Sequence, residues 1–407
     1  MPAFPRPERE VLRELEHPLA FLFWEALRDV LLWNSVGPEE RRGLFHPSPP
    51  RVREYLAYAL LQAPELEEAL RGLRVVSELP ELAEEARVAE ACAGVALWAE
   101  ARGMKETAVQ FAEAAARVEP EVSARSFTAG RLCRRLGDAP RAAMWYARAA
   151  RLARIAYRRR RKGSEIDFAN AHLGHGNLEH DLGNYREAEF HYMKAARAAL
   201  RSGRKSLAAM ANHSMVGVAG DTSRHGDALE YARKAVALYP ADHPLFPALV
   251  HDVARLWMGM GYFSSALLLL ERVLPRMERP DEKMVVAASL ARSAAAVKDH
   301  IRYERTTAYV LATAAADTGM AASSLYHVAE GARSFWEWER ATAMAEKALD
   351  IARQRDNGTI IALAERLLES LARREPGDVD LVPEEGGIID ALTRTILRKL
   401  RAGPPSA

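Results

Sequence analysis

The run Leu182-Gly183-Asn184-Tyr185-Arg186-Glu187-Ala188, continued by Tyr192 and Ala195, decides how this chain is read. A small residue and a turn come first. Ala188, Tyr192 and Ala195 then follow at four- and three-residue steps, which is one face of an α-helix. Two alanines on that face let a neighbouring helix approach closely, and the aromatic ring fills the gap between them. Gly176 lies seven residues before Gly183, two helical turns back and on the same face. The stretch predicts two antiparallel helices in tight contact.

The same frame recurs along the chain. Gly103, Ala108, Ala112, Ala115 and Pro120 fit it, as do Gly137, Ala142, Tyr146 and Ala149. It returns at Ala228, Ala232, Ala235 and Pro240, and again at Gly261, Phe263, Ala266 and Leu270, with weaker copies near Tyr303 and Trp338. Taking Ala108, Ala142, Ala188, Ala228, Ala266, Glu304 and Ala341 as equivalent marks, the steps are 34, 46, 40, 38, 38 and 37 residues. The pattern resembles the tetratricopeptide repeat, a 34-residue helix pair with Trp, Leu-Gly, Tyr, Ala, Phe, Ala and Pro at fixed places. No copy here keeps every consensus residue, and most steps are longer, so helices or loops are lengthened. The resemblance implies a right-handed α-solenoid of about seven helix pairs over 85–358. A helical block over 1–84 precedes them and a capping helix over 359–375 follows. A flexible linker at 376–387 and a basic amphipathic helix and tail at 388–407 complete the expected organisation.

Composition agrees with an all-α reading. The chain has 407 residues, 49% of them apolar and 7% aromatic, and no run of alternating β-branched residues bounded by turns. Stacked repeats can extend to this length without a domain break. Residues 8–33 carry a broad apolar stripe expected to form one helix, kinked or split at Pro18. A loop is expected over 37–50 and helices over 51–63 and 64–76. The first eighteen residues do not have the character of a secretory signal. The apolar window 19–33 is interrupted by Glu25, Arg28 and Asp29 and is too short to span a bilayer. Cys92 and Cys133 fall where a helix-pair core is expected, as buried thiols rather than a disulfide framework, which points to the cytoplasm and away from a membrane.

Charge is uneven although the total is only +2. Residues 1–120 carry a net −7, residues 121–205 a net +11 and the remainder −2. The basic block culminates in Arg158, Arg159, Arg160, Arg161 and Lys162, more cations than a helix C-terminus needs. That run is either a solvated loop or a binding patch for acidic protein or nucleic acid. The helix over 388–407 steps through Ile389, Leu392, Ile396 and Leu400, with arginines between. It can dock on the repeats, pair with another copy or meet a partner.

No glycine-rich phosphate loop, zinc-spaced Cys/His set or nucleophile elbow is present, so no catalytic residue, cofactor or metal is expected. Eight of the twelve histidines lie between His172 and His251, with His172 and His175 spaced to share a helix face. What the resemblance implies instead is a concave groove lined by the first helix of each repeat, where short partner segments lie. Carried to this sequence, the second repeat presents Arg131, Arg134 and Arg135. The third presents Asn170, Leu173, Asn177, His180 and Asp181, the fourth His213 and Asp221, and the fifth His251 and Arg255. Asn can meet both a donor and an acceptor of a peptide backbone, and Arg can fork onto a carboxylate. The two-Lys, two-Asn, one-Arg pattern of the family's carboxylate-clamping members is not reproduced. The expectation is a non-enzymatic scaffold or adaptor holding a protein segment of acidic character, with the three groove arginines exposed. Nucleic-acid binding or regulation through 121–205 is the alternative, and self-association of the acidic and basic blocks remains open. Peptide-sensing bacterial regulators with such arrays carry a helix-turn-helix ahead of them, and none is evident here.

Overall fold

The computed structural model describes residues 11–46, 50–159, 161, 163–314 and 320–402. Among them there is no strand, and the fold is an all-α solenoid built in two compact units, 1–207 and 208–407.

The first unit opens with α1 (Val11–Glu14) and α2 (Leu19–Ser35), so the expected long helix is split at Pro18. After a 3-10 turn at Pro38–Glu40 come α3 (Pro50–Gln62) and α4 (Glu67–Glu78), separated by a second such turn at Pro64–Leu66. Three hairpins follow: α5 (Glu85–Ala101) with α6 (Lys105–Val118), α7 (Ser123–Leu136) with α8 (Ala139–Arg158), and α9 (Ser164–Asp181) with α10 (Tyr185–Arg201). The leading block packs on the first hairpin. Phe23 meets Trp98 and Phe111 edge-on, with ring centres 5.6 and 5.4 Å away. The Glu14 carboxylate accepts the Glu106 and Thr107 N–H groups at 2.9 and 2.8 Å, capping the positive end of α6.

The 182–188 stretch shows why each hairpin closes as it does. Gly183 adopts a left-handed φ of 76°, which costs glycine little. Its N–H donates to His180 O at 2.9 Å and the Asn184 N–H to Glu179 O at 2.8 Å, satisfying the carbonyls that end α9. Across the hairpin Ala188, Tyr192 and Ala195 are fully buried. The Tyr192 ring lies over Gly176, and its hydroxyl donates to Asn177 Oδ1 at 2.8 Å. Tyr146 likewise lies against Gly130 and Gly174. Ser223, Lys298 and Trp336 occupy the left-handed turn position of later hairpins. Keeping that conformation without glycine costs roughly 1–2 kcal/mol each, and packing of the hairpin must cover it. The turn geometry thus persists where its glycine is lost.

The second unit continues with α11 (Lys205–Asp221) and α12 (His225–Leu238), then α13 (Phe246–Gly259) and α14 (Phe263–Val273). After them come α15 (Pro280–Ala296) with α16 (His300–Ala314), α17 (Ala321–Ser334) with α18 (Trp338–Gln354), the single α19 (Gly358–Ala372) and finally α20 (Ile388–Ala402). From α5 to α18 the chain therefore forms seven hairpins. The stretch 376–387, expected as a flexible linker, has no regular structure but is tied down at several points. Asp378 forks onto Arg292 at 2.6 and 3.1 Å. Asp380 accepts the Ser264 N–H at 2.9 Å, capping α14, and also meets the Ser264 hydroxyl. The Leu381 N–H donates to Gly261 O at 2.8 Å. α20 then docks within its own chain. Ile389, Leu392, Ile396 and Leu400 are buried, Trp257 donates to Thr393 Oγ1 at 3.0 Å, and Lys399 donates to Val236 O at 2.5 Å.

Candidate functional site

The groove arginines of the first unit are not free. Arg131 forks onto the Glu100 carboxylate, with one arm at 2.7 Å, and Arg135 shares the same carboxylate. The Arg131 hydrogen bond outweighs burial and holds the Glu100 pKa below the usual carboxylate range. Arg134 pairs with Asp181 at 2.6 Å, which raises its pKa although burial opposes the charge. The expectation of three exposed arginines is therefore corrected: Arg131 and Arg134 are part-buried and only Arg135 projects. The residues expected beside them on α9 are also engaged. Asn177 holds Tyr192, Leu173 is buried, and the His180 ring meets Tyr185 edge-on at 5.8 Å. Asn170 is half-buried.

At the end of α8 the charges are differently placed. Arg151, Arg154, Arg158, Arg159 and Arg161 are all exposed and make no ion pair among the described residues. Arg160 and Lys162 of the same run lie outside the described residues.

The second unit holds a cavity of about 510 Å³, within the usual range for a ligand site. Its walls are α13, α15 and α17, the first helices of three successive hairpins, together with α19. Arg255 and His251 line it, as the sequence suggested, and so do Asp252, Tyr326 and His327, which the sequence reading missed. His213, His251, Ser289 and His327 stand at successive 38-residue intervals, one place in four consecutive first helices. The first two of these positions are satisfied within the fold. His213 Nε2 and Asp252 Oδ2 are 2.8 Å apart, and His251 Nε2 and Ser289 Oγ are 3.1 Å apart. Burial would raise the Asp252 pKa, yet its bond to His213 and the cationic groups around it bring it to about 2. Burial lowers His251 to about 4 and takes His327 well below the value of a free imidazole, so both imidazoles are neutral at pH 7. His327 Nδ1 is buried with no hydrogen-bond partner among the described residues.

These groups do not assemble a nucleophilic relay. The histidine oriented by Asp252 is His213, whereas the histidine on Ser289 is His251, and Ser289 is fully buried. A second histidine group forms in the first unit, where the fold brings His191 of α10 to His172 and His175. His172 Nδ1 and His191 Nδ1 lie 2.8 Å apart, and the His175 and His191 rings are 4.2 Å apart. Burial first, then the neighbouring cationic groups, lower these pKa values to about 3 for His172 and about 4 for His191. His300, Glu304 and Glu337 converge as metal ligands could, but Arg340 already bridges the two carboxylates, at 3.1 and 3.0 Å.

The fold and groove define a tandem helix-pair protein that resembles the tetratricopeptide type. No model of a known protein family matches the sequence, and no curated protein matches it. Solved structures resemble it at low sequence identity. A kinesin-light-chain-like protein of Podosopora anserina, with nearly identical TPR-like repeats, is 17% identical over 49% of this chain and 98% of its own, with a TM-score of 0.38. The Cut9–Hcn1 hetero-tetramer of the APC/C is 13% identical over 88% of this chain and 63% of its own, at 0.49. The aspartyl phosphate phosphatase F of Bacillus subtilis is 13% identical over 92% and 90%, at 0.38. No helix among the described residues is long and apolar enough to cross a membrane.

Proposed function

We propose that this chain is a non-enzymatic interaction scaffold that holds a segment of a partner protein in the groove of its second unit. The observation that carries the reading is the 510 Å³ cavity lined by four helices, three of them the first helices of successive hairpins. A preformed surface of this kind lowers the ordering cost of binding. Cytoplasmic residence is part of the proposal and is supported by Cys92 and Cys133, both free and buried. The test is capture from the native lysate with variants that fill the cavity, Val285→Trp and Ser323→Trp. A partner retained by the parent and lost with both supports the reading. Equal capture by all three proteins overturns it.

Acidic character in the partner was expected from Arg131, Arg134 and Arg135, whose charge is now taken up by Glu100 and Asp181. Attraction for acidic groups passes instead to the exposed arginines at the end of α8, which make no ion pair among the described residues and support a second reading as a contact for acidic protein or nucleic acid. Salt separates the two partners: phosphate contacts release counterions, so binding to a DNA or RNA probe weakens steeply with added salt. Retention unaffected by Arg158→Ala with Arg159→Ala removes this reading. Self-association through the same surface is checked by light scattering at low and high salt, and a monomer at both excludes it.

A further inference from the structure

The cavity has a chemical polarity opposite to that of the basic block. Three carboxylates, Asp252, Asp281 and Glu282, face one guanidinium, Arg255. Their availability differs. Asp252 is held by His213 at 2.8 Å and by Arg255 at 3.7 Å, and Asp281 is held by Arg279 at 2.5 Å. Among the described residues Glu282 has only Arg279, at 3.9 Å, and its side chain is half exposed. Its charge is therefore the one left for a ligand. Between the polar groups run Val285, Met320, Ile360 and Leu363, a floor suited to aliphatic side chains.

The wall also contains one incomplete hydrogen-bond position. His213 and His251 each have a partner in the fold through Nε2. His327 Nδ1 is buried with no hydrogen-bond partner among the described residues, an uncompensated desolvation cost within the wall.

Resting on the groove reading above, we propose that this cavity selects a protein segment with one lysine or arginine among aliphatic residues. The cationic head sits at Glu282, with Asp281 beside it, and the aliphatic neighbours lie over Val285 and Met320. An acidic segment is rejected, because its carboxylates would face those of the cavity.

The test uses the full chain and an immobilised array of acetylated, amidated hexapeptides built from Leu, Val and Ser. The third residue is varied among Lys, Arg, norleucine and Glu. Lys and Arg peptides are expected to be retained at least tenfold better than Glu peptides. Asp281→Asn with Glu282→Gln should reduce that ratio below about threefold while norleucine peptides still bind, showing that the variant is folded. A parent protein that shows no preference for Lys or Arg over Glu, or a double variant that keeps the full ratio, with binding still blocked by Ser323→Trp, would overturn the proposal and leave the groove reading standing. Peptides bound equally by parent and Ser323→Trp would sink both. Retention of no peptide at all overturns the selectivity proposed here, while the groove reading remains judged by lysate capture.

Discussion

Gly176→Ala is the sharpest probe of the hairpin geometry, because its sign runs against helix propensity. A Cβ built at Gly176 meets Tyr192 Cε1 at 2.6 Å, Tyr192 Cδ1 at 2.7 Å and the Ala188 carbonyl oxygen at 3.2 Å. The ring cannot simply rotate away, since Tyr192 is fully buried and its hydroxyl is bonded to Asn177. Overpacking of this kind costs about 1–3 kcal/mol, and a disturbed hydrogen bond adds about 1 kcal/mol. Exchanging glycine for alanine in a helix returns about 1 kcal/mol. The net expectation is a loss of about 1–3 kcal/mol. Gly220 in α11 supplies the control: nothing lies within 4 Å of its built Cβ, so Gly220→Ala should stabilise by about 0.5–1 kcal/mol. Urea unfolding followed by circular dichroism gives both values, and amide exchange assigns each to its unit. A Gly176→Ala protein as stable as the parent would refute the close approach of α9 and α10.

Lowering the pH should weaken the first unit through its histidines. His172 titrates at about 3 in the fold, below the 6.5 of a free imidazole, so the unfolded chain takes the proton first. Stability is then full above pH 6.5 and falls towards pH 3, by about 2 kcal/mol at pH 5 for His172 alone. Equal exchange protection of α9 and α10 at pH 7.5 and 5.0 would contradict this. Burial raises both Cys92 and Cys133 to about 12, so a thiol reagent should leave the native protein unmodified and label two groups per chain in urea. Rapid native labelling would show that the hairpin cores open. Ile396 is fully buried, and Ile396→Ala should cost about 2–5 kcal/mol in the second unit. No measurable cost would mean that α20 is undocked in solution.

The hairpins could be read from sequence because their determinants are local. Small residues, a left-handed turn and an aromatic three or four positions away all fall within one helix pair, as at Gly176, Gly183, Ala188 and Tyr192. The site was harder because its groups are joined across repeats. Arg131 meets Glu100 at a separation of 31 residues and Arg134 meets Asp181 at 47, so side chains read as available turn out to be paired. His191 was likewise missed as a neighbour of His172, 19 residues away on the facing helix. One signal was present in the sequence. His213, His251 and His327 keep the 38-residue interval of their repeats, and extending that step past Ser289 points to His327. The bonds made by 376–387 have no such signature, because they depend on Asp378 and Asp380 reaching Arg292 and Ser264 more than eighty positions earlier.

That returning segment changes how the array comes apart. In a simple row of repeats each hairpin touches only its neighbours, and the terminal one frays first. Here the chain turns back from α19 and fastens itself to Arg292, Ser264, Gly261 and Trp257, crossing hairpins that precede it. The outermost hairpin cannot peel away without pulling on those inside it, so the second unit should melt as one body rather than unravel from its free end.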